Sequence, residues 1–268
     1  MKNLSFLKKD YKGKFFLIAG PCVVENFDLN YYTAGKIKEI CENLDINFVY
    51  KSSFVKANRT SINSFSTIGI EKSLDILSEI KYKLDIPILT DVHSIEQIKL
   101  LNDIDVIQIP AFLCRQTELI VEVAKTKKFV NIKKGQFLPP DKIKYIIEKI
   151  ENINNNILIT ERGTMFGYNH LIVDMVGIEI MKENNYPIIF DGTHSVQVNS
   201  SNSSTMGRNK FIEPLCKSCL SLNISGIFLE VHPDPTKALS DKKSQLKLSK
   251  LQKLLQKLIK VDEIAKSI

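Results

Sequence analysis

Eight short runs rich in β-branched and aromatic residues recur along this chain, at residues 15–20, 47–53, 86–92, 106–110, 129–134, 157–162, 187–193 and 226–232. Each is followed by a stretch long enough for a helix. Most are apolar without strict alternation, the pattern of strands covered on both faces of a parallel sheet. Eight such strands alternating with helices predict an α/β fold, a (β/α)8 TIM barrel, and 268 residues is the size of one. Helical apolar spacing recurs over 33–44, 69–84, 115–125, 140–150 and 174–184, and no compositional break divides the chain. A single catalytic domain over 1–268 is the expectation.

Composition narrows the class further. With 44% hydrophobic and 25% charged residues the chain has the balance of an ordinary globular protein. Its longest apolar runs, such as 15–19 and 227–229, fall far short of the roughly 20 residues a membrane helix needs. Residues 1–10 carry lysines but no apolar stretch with a cleavage site, so no secretory signal is read there. Five cysteines without framework spacing suit a reducing compartment, and a cytoplasmic location is expected. Cys216 and Cys219 form a C-x-x-C inside an apolar-periodic stretch over 211–222 and read as helix cysteines, not as a zinc or redox pair.

The net charge of +7 raises nucleic-acid binding as a possibility. Much of the excess lies in Lys242, Lys243, Lys247, Lys250, Lys253, Lys257 and Lys260, which alternate with Leu248, Leu251, Leu254, Leu255, Leu258 and Ile259. That spacing describes a surface helix with a solvated lysine face. Neither nucleic acid nor membrane is expected as a partner.

Strand ends on one rim of such a barrel carry its chemistry. Followed to their ends, the eight runs give Cys22; Lys51, Ser53, Lys56 and Arg59; Asp91 and His93; Gln108 leading to Arg115; Lys133 and Gln136; Glu161 and Arg162; Asp191 and His194; and Glu230 and His232. Lys51, Lys56, Arg59, Arg115, Lys133 and Arg162 together predict a cationic mouth for a strongly anionic ligand, since the carboxylates nearby are too few to pair them all. Cys22, His194, Glu230 and Asp241 offer a thiolate, an imidazole and two carboxylates, a donor set suited to Zn2+, Fe2+ or Mn2+. By residue type alone, His93 or His232 could replace His194. Two segments, 58–66 and 199–204, have the Ser, Thr and Asn content of loops that could close over a substrate.

These segments resemble the 3-deoxy-D-manno-octulosonate 8-phosphate synthases. The matching stretches are 18–22 (IAGPC), 51–61 (KSSFVKANRTS), 90–93 (TDVH), 107–117 (IQIPAFLCRQT), 131–137 (NIKKGQF), 160–164 (TERGT) with 166–168 (FGY), 191–197 (DGTHSVQ) and 230–235 (EVHPDP). They run nearly the whole chain in order. The resemblance implies a transferase that condenses phosphoenolpyruvate with D-arabinose 5-phosphate, a step toward lipopolysaccharide, on a (β/α)8 barrel assembled as a homotetramer. The related heptulosonate 7-phosphate synthases, which use erythrose 4-phosphate, are the alternative. They carry KPRT where this chain has KANR over 56–59, and Asn58 favours the longer sugar.

Cys22, in place of the Asn of metal-independent members, implies a divalent metal on Cys22, His194, Glu230 and Asp241. The resemblance further implies phosphoenolpyruvate contacts at Lys51, Ser53, Lys56, Lys133, Gln136, Arg162 and the backbone near Ala111. Asp91 and Arg115 are also expected at the substrates. Asn58, Arg59 and Thr60 become a sugar-phosphate clamp that reaches a neighbouring subunit, with Thr60 in place of the usual Ser. Lys56, Lys133, His194 and Asp241 are the expected catalytic groups. Gly192 stands where Ala or Val is common, and the segment before 207–208 departs from a usual Gly-Gly.

Overall fold

The computed structural model describes residues 4–8, 10–59, 61–197 and 208–268. In chain order the elements are β1 (Phe16–Gly20), α1 (Phe27–Asn43), β2 (Phe48–Lys51), α2 (Ile70–Leu84), β3 (Ile88–Asp91), α3 (Ile95–Ile98), β4 (Val106–Ile109), α4 (Thr117–Lys125), β5 (Phe129–Lys133), α5 (Lys144–Ile147), β6 (Ile157–Glu161), α6 (Met175–Lys182), β7 (Ile188–Asp191), α7 (Ile212–Leu220), β8 (Gly226–His232), β9 (Leu246–Lys247) and α8 (Leu251–Ser267). Strands β1 to β8 pair in parallel in sequence order, and β1 pairs with β8 to close the (β/α)8 barrel. The two-residue β9 extends β8 beyond the barrel at Val231 and His232.

The period of two along each strand sorts side chains into two cores. Inside the barrel, Phe16, Ile18, Val49, Leu89, Val106, Phe129, Leu158, Ile189 and Phe228 pack on one another, with Phe6 and Leu7 of the N-terminal 3-10 turn. Leu17, Tyr50, Ile107, Val130, Ile159, Phe190 and Leu229 face outward and pack under the helices with Ile37, Leu77, Ile120, Ile178 and Leu255. Full burial of such a side chain contributes about 1.5–3 kcal/mol. The strands therefore read as continuous apolar runs although their two faces bury different partners.

The inward series changes character along the barrel axis. Above the apolar floor, Asn131 donates to Gln108 at 3.1 Å and accepts from Thr160 at 2.6 Å, which satisfies a buried amide layer. One step further, the inward positions are Lys51, Asp91, Lys133, Asp191 and Glu230, all buried. At this rim β1 and β2 approach so closely that a Cβ on Gly20 would lie 2.0 Å from the Lys51 carbonyl oxygen. Only glycine fits there.

Several helices differ from their predicted extents. Helix α1 begins at Phe27 rather than at residue 33 because the Asn26 side chain accepts from the Leu29 N–H at 2.9 Å and caps it. The stretch 140–150 is a 3-10 turn (Pro140–Ile143) followed by the single turn α5. The asparagines beyond compete for backbone donors, as where Asn154 accepts from the Asn156 N–H. The expected lysine helix is α8, which buries Leu251, Leu254, Leu255 and Leu258. Lys242, Lys243, Lys247 and Lys250 precede it, Lys247 on β9 and Lys250 on a 3-10 turn; Lys242 and Lys243 sit on the loop between β8 and β9 and line the cavity described below, which corrects their reading as part of a solvated helix face.

Cys216 and Cys219 are buried on α7, and all five cysteines are free thiols. Among the described residues no helix is long and apolar enough to cross a membrane. The segment 199–204 lies outside the described residues.

Candidate active site

A cavity of about 710 Å3 opens at the C-terminal ends of the strands. Of the residues expected at the site, Lys51, Ser53, Lys56, Asn58, Asp91, Ala111, Lys133, Gln136, Arg162, His194, Glu230 and Asp241 line it. Cys22 is buried beside it, its thiol donating to Asp241 Oδ2 at 3.0 Å. Arg59 and Arg115 are not brought into this cavity. Arg59 is exposed and donates to the carbonyls of Ile62 and Ser64, and Arg115 is exposed beyond the 3-10 turn Ala111–Leu113. Thr60 lies outside the described residues. The cationic mouth of a single chain thus consists of Lys51, Lys56, Lys133 and Arg162, with Lys242 and Lys243 at its lining.

Carboxylates already singled out in the sequence pair three of these first four cations. Lys51 Nζ lies 3.3 Å from Glu230 Oε1, Lys56 Nζ 3.6 Å from Asp241 Oδ2, and Lys133 Nζ 2.6 Å from Asp191 Oδ2. Arg162 makes no ion pair among the described residues and donates to Gln197 Oε1 at 3.3 Å. Burial pushes its guanidinium pKa down, opposed by the charges of Asp191 and Glu161. Asp91 Oδ1, Gln136 Oε1, Arg162 Nη1 and Glu230 Oε2 are buried and find no hydrogen-bond partner among the described residues. Unpaired buried polar atoms are costly, so their convergence on one cavity marks a place built for a polar ligand.

Cys22, Glu230 and Asp241 each offer a ligand atom within 4.8 Å of the others. Three distant segments meet there for separate reasons. The loops after β1 and β2 are zipped by the Val23–Ser53 bridge, Glu230 pairs in register with Gly20 across β8 and β1, and Asp241 sits on a turn at φ 46°, which an aspartate tolerates. Gln245, which sequence reasoning did not single out, accepts from the Cys22 N–H at 3.1 Å and donates to the Ser240 carbonyl at 2.8 Å. It ties the Cys22 loop to the residue before Asp241. Burial and the neighbouring Glu230 charge push the Cys22 thiol well up, and a divalent cation would reverse that balance.

Of the four expected ligands, His194 falls outside this mutually close group, although among the three candidate histidines it is the one beside it, its Nε2 3.5 Å from Glu230 Oε1. His93 pairs instead with Asp91 at 3.1 Å. His232 accepts from the Asp234 N–H and faces Glu25, away from the cavity lining. The other nitrogen of His194, Nδ1, is 2.8 Å from Asp191 Oδ2. A ligating imidazole is commonly held in that way by a carboxylate behind it. Asp191 also accepts from the backbone N–H groups of Thr193 and His194. Burial alone would raise its pKa, but the charges of His194 and Lys133 win and hold the carboxyl well below its usual range. Asp191 was visible as a strand-end residue, yet nothing in the sequence distinguished it as the common partner of a lysine and a histidine.

The donor set, the orphaned Glu230 oxygen and the carboxylate behind His194 all fit a divalent metal, and the same two carboxylates that neutralise Lys51 and Lys56 belong to that set. A cation held by Glu230 and Asp241 would release both lysines toward an anionic ligand. The arrangement is compatible with a cation and anions held side by side.

Comparison with known proteins agrees with this geometry. Residues 9–267 match the family model of the DAHP synthetase I family. The chain is 49% identical over 258 residues to a 2-dehydro-3-deoxyphosphooctonate aldolase of Rickettsia prowazekii, covering 95% of this chain and 94% of the relative. It is 48% identical over 254 residues to the protein of that name from Legionella pneumophila (strain Corby), covering 94% and 93%. The counterpart in Aromatoleum aromaticum is 46% identical over 258 residues, covering 94% and 92%. With the family model matched over residues 9–267 and these relatives matched over more than nine-tenths of both chains, the chain belongs to the DAHP synthetase I family.

Proposed function

We propose that this chain condenses phosphoenolpyruvate with D-arabinose 5-phosphate and water to give 3-deoxy-D-manno-octulosonate 8-phosphate and inorganic phosphate. The observation that carries the reading is the convergence of Lys51, Lys56, Lys133 and Arg162, from separate strand ends, on one cavity beside Cys22, Glu230 and Asp241. Two phosphorylated reactants need that much positive charge, and preorganised charge is the largest contribution to rates of this kind. Asn58 lines the cavity, in keeping with the longer sugar.

In this reading C3 of phosphoenolpyruvate attacks the aldehyde carbon of the open-chain sugar and forms the new C–C bond. Water adds at C2, a proton reaches the former aldehyde oxygen, and the C2–O bond to phosphate breaks. Lys51, Lys133 and Arg162 hold the enol phosphate and carboxylate, with Ser53, Gln136 and the Ala111 backbone completing the grip. Lys56, whose burial would lower its pKa but is outweighed by charges that include the carboxylates of Glu230, Asp241 and Asp91, is an ammonium that can donate to the aldehyde oxygen. Asp91, whose Oδ1 finds no partner among the described residues at the cavity, accepts from a substrate hydroxyl, and His194 and Asp241 move protons near the added water.

Cys22, His194, Glu230 and Asp241 would hold a divalent ion such as Zn2+, Fe2+ or Mn2+. When bound it supplies polarisation of the sugar end or orientation of water. Asn58, Arg59 and Thr60 would form the sugar-phosphate clamp between copies of the chain in a homotetramer, in keeping with the exposure of Arg59 on the loop after β2.

The test is phosphate release with arabinose 5-phosphate and with erythrose 4-phosphate, before and after chelation, in the wild type and in Cys22→Asn. Turnover confined to the five-carbon sugar and lost on chelation supports the reading. Preference for the four-carbon sugar replaces it with the heptulosonate synthase, and chelator-resistant turnover removes the metal.

A further inference from the structure

Lys134 follows Lys133 but points to the other side of the strand, and it is as buried as any residue of the chain. Its ammonium donates to Thr164 Oγ1 at 3.0 Å and to the carbonyls of Gly135 at 3.3 Å and Leu138 at 3.4 Å, and lies 3.4 Å from Glu161 Oε2. The other Glu161 oxygen accepts from the Gly163 N–H at 2.5 Å. None of these groups lines the cavity.

A buried ion pair is costly to desolvate, and an apolar pair of the same volume packs as well or better. Something beyond packing is needed to justify one here. The polar partners of Lys134 and Glu161 all lie on two loops, 134–138 after β5 and 161–164 after β6. These loops present Gln136 and Arg162 to the cavity, each with a buried polar atom that no described residue satisfies. Two backbone bonds flank the ion pair, Lys134 N–H to the carbonyl of Thr160 in β6 at 2.9 Å and Met165 N–H to the Gln136 carbonyl at 2.9 Å. Backbone bonds fix spacing along the strands. The ammonium, with several acceptors around it, fixes how the loops turn inward.

We infer that the Lys134–Glu161 pair is a positioning device that locks the loops after β5 and β6 so that Gln136 and Arg162 meet the enol-phosphate reactant together. The inference rests on the proposed assignment of Gln136 and Arg162 to phosphoenolpyruvate. It predicts a defect specific to one of two reactants, which a merely structural pair does not.

The experiment is steady-state kinetics on the metal-loaded enzyme carrying Lys134→Met with Glu161→Gln, which removes both charges together and keeps an acceptor for Gly163. The expected result is a rise of roughly tenfold or more in KM for phosphoenolpyruvate, with KM for the sugar phosphate and kcat within roughly threefold of wild type. An unchanged KM for phosphoenolpyruvate overturns the inference, as does a parallel rise in both KM values. Should the double variant fail to fold, Thr164→Val decides. It removes one acceptor of the ammonium without burying a charge, and a selective rise in KM for phosphoenolpyruvate supports the device while none overturns it. A wild type that does not consume phosphoenolpyruvate removes the functional reading itself, and this inference with it.

Discussion

The Asp191 carboxylate, fully shielded from solvent, lies 2.6 Å from Lys133 Nζ. The same oxygen is 2.8 Å from His194 Nδ1, so one carboxylate sets the direction of a cavity-lining cation and of the imidazole beside Glu230. Asp191→Asn keeps the shape but removes the charge and can present an N–H where His194 needs an acceptor. Metal affinity should fall by roughly 10–100-fold, and kcat/KM by on the order of 100-fold because both groups lose their direction. Equilibrium dialysis against graded metal concentrations separates the two effects. Wild-type metal affinity in the variant would sink the argument.

Much of this architecture was legible because inward and outward barrel positions are both apolar near the floor, so each strand announces itself as a short continuous run. Phe16, Leu17 and Ile18 are buried alike although they serve different cores. The rim was legible because Lys133, Arg162 and Glu230 interrupt those runs where no apolar environment would hold them unpaired. What the sequence concealed is pairing. Nothing in spacing says that Glu230 neutralises Lys51, that Asp191 serves Lys133, or that Gln245 reaches Cys22 from 223 positions away. Arg59 and Arg115 were grouped with the mouth because their charge and proximity to strand ends matched it. Their loops carry them to the surface instead.

Asp91 gives a pH prediction. Burial would raise its pKa, but the hydrogen bond and charge of His93, with Lys51 and Lys56, outweigh that and hold the carboxyl far below its usual range. A carboxylate depressed in the folded state contributes stability above its unfolded pKa of about 4, and that contribution is lost as pH falls from there toward the folded pKa. Asp91→Asn should therefore lower unfolding free energy at pH 7 by about 1–3 kcal/mol, with the gap narrowing below pH of about 4. Urea melts at pH 7, 5 and 3.5 check this. A gap independent of pH contradicts it.

Gln245 should govern how well the metal group is assembled. Its amide joins the Cys22 N–H to the Ser240 carbonyl, and Gln245→Ala leaves both backbone groups to find other partners. The expected outcome is a loss of roughly 10–100-fold in metal affinity with the barrel intact by circular dichroism. Activity should return at high metal concentration, because the ligands themselves remain. Activity that stays low at saturating metal would assign Gln245 another role.

Gly192 and Cys216 should behave as a coupled pair. A Cβ on Gly192 would stand 2.8 Å from Cys216 Sγ and 3.1 Å from Leu229 Cδ2, with Ile212 Cγ2 at 3.6 Å. The glycine is thus a consequence of the thiol packed beneath the segment that carries Asp191 and His194. Gly192→Ala overpacks that contact and should cost about 1–3 kcal/mol. It should also lower activity, since the strain falls on the neighbours of both residues. In Gly192→Ala with Cys216→Ala the new methyl occupies space the sulfur has left, so the double variant should be more stable than the sum of the single effects by about 1 kcal/mol or more. Urea denaturation of the four proteins measures that difference, and additivity within about 0.5 kcal/mol would show that the two positions are independent.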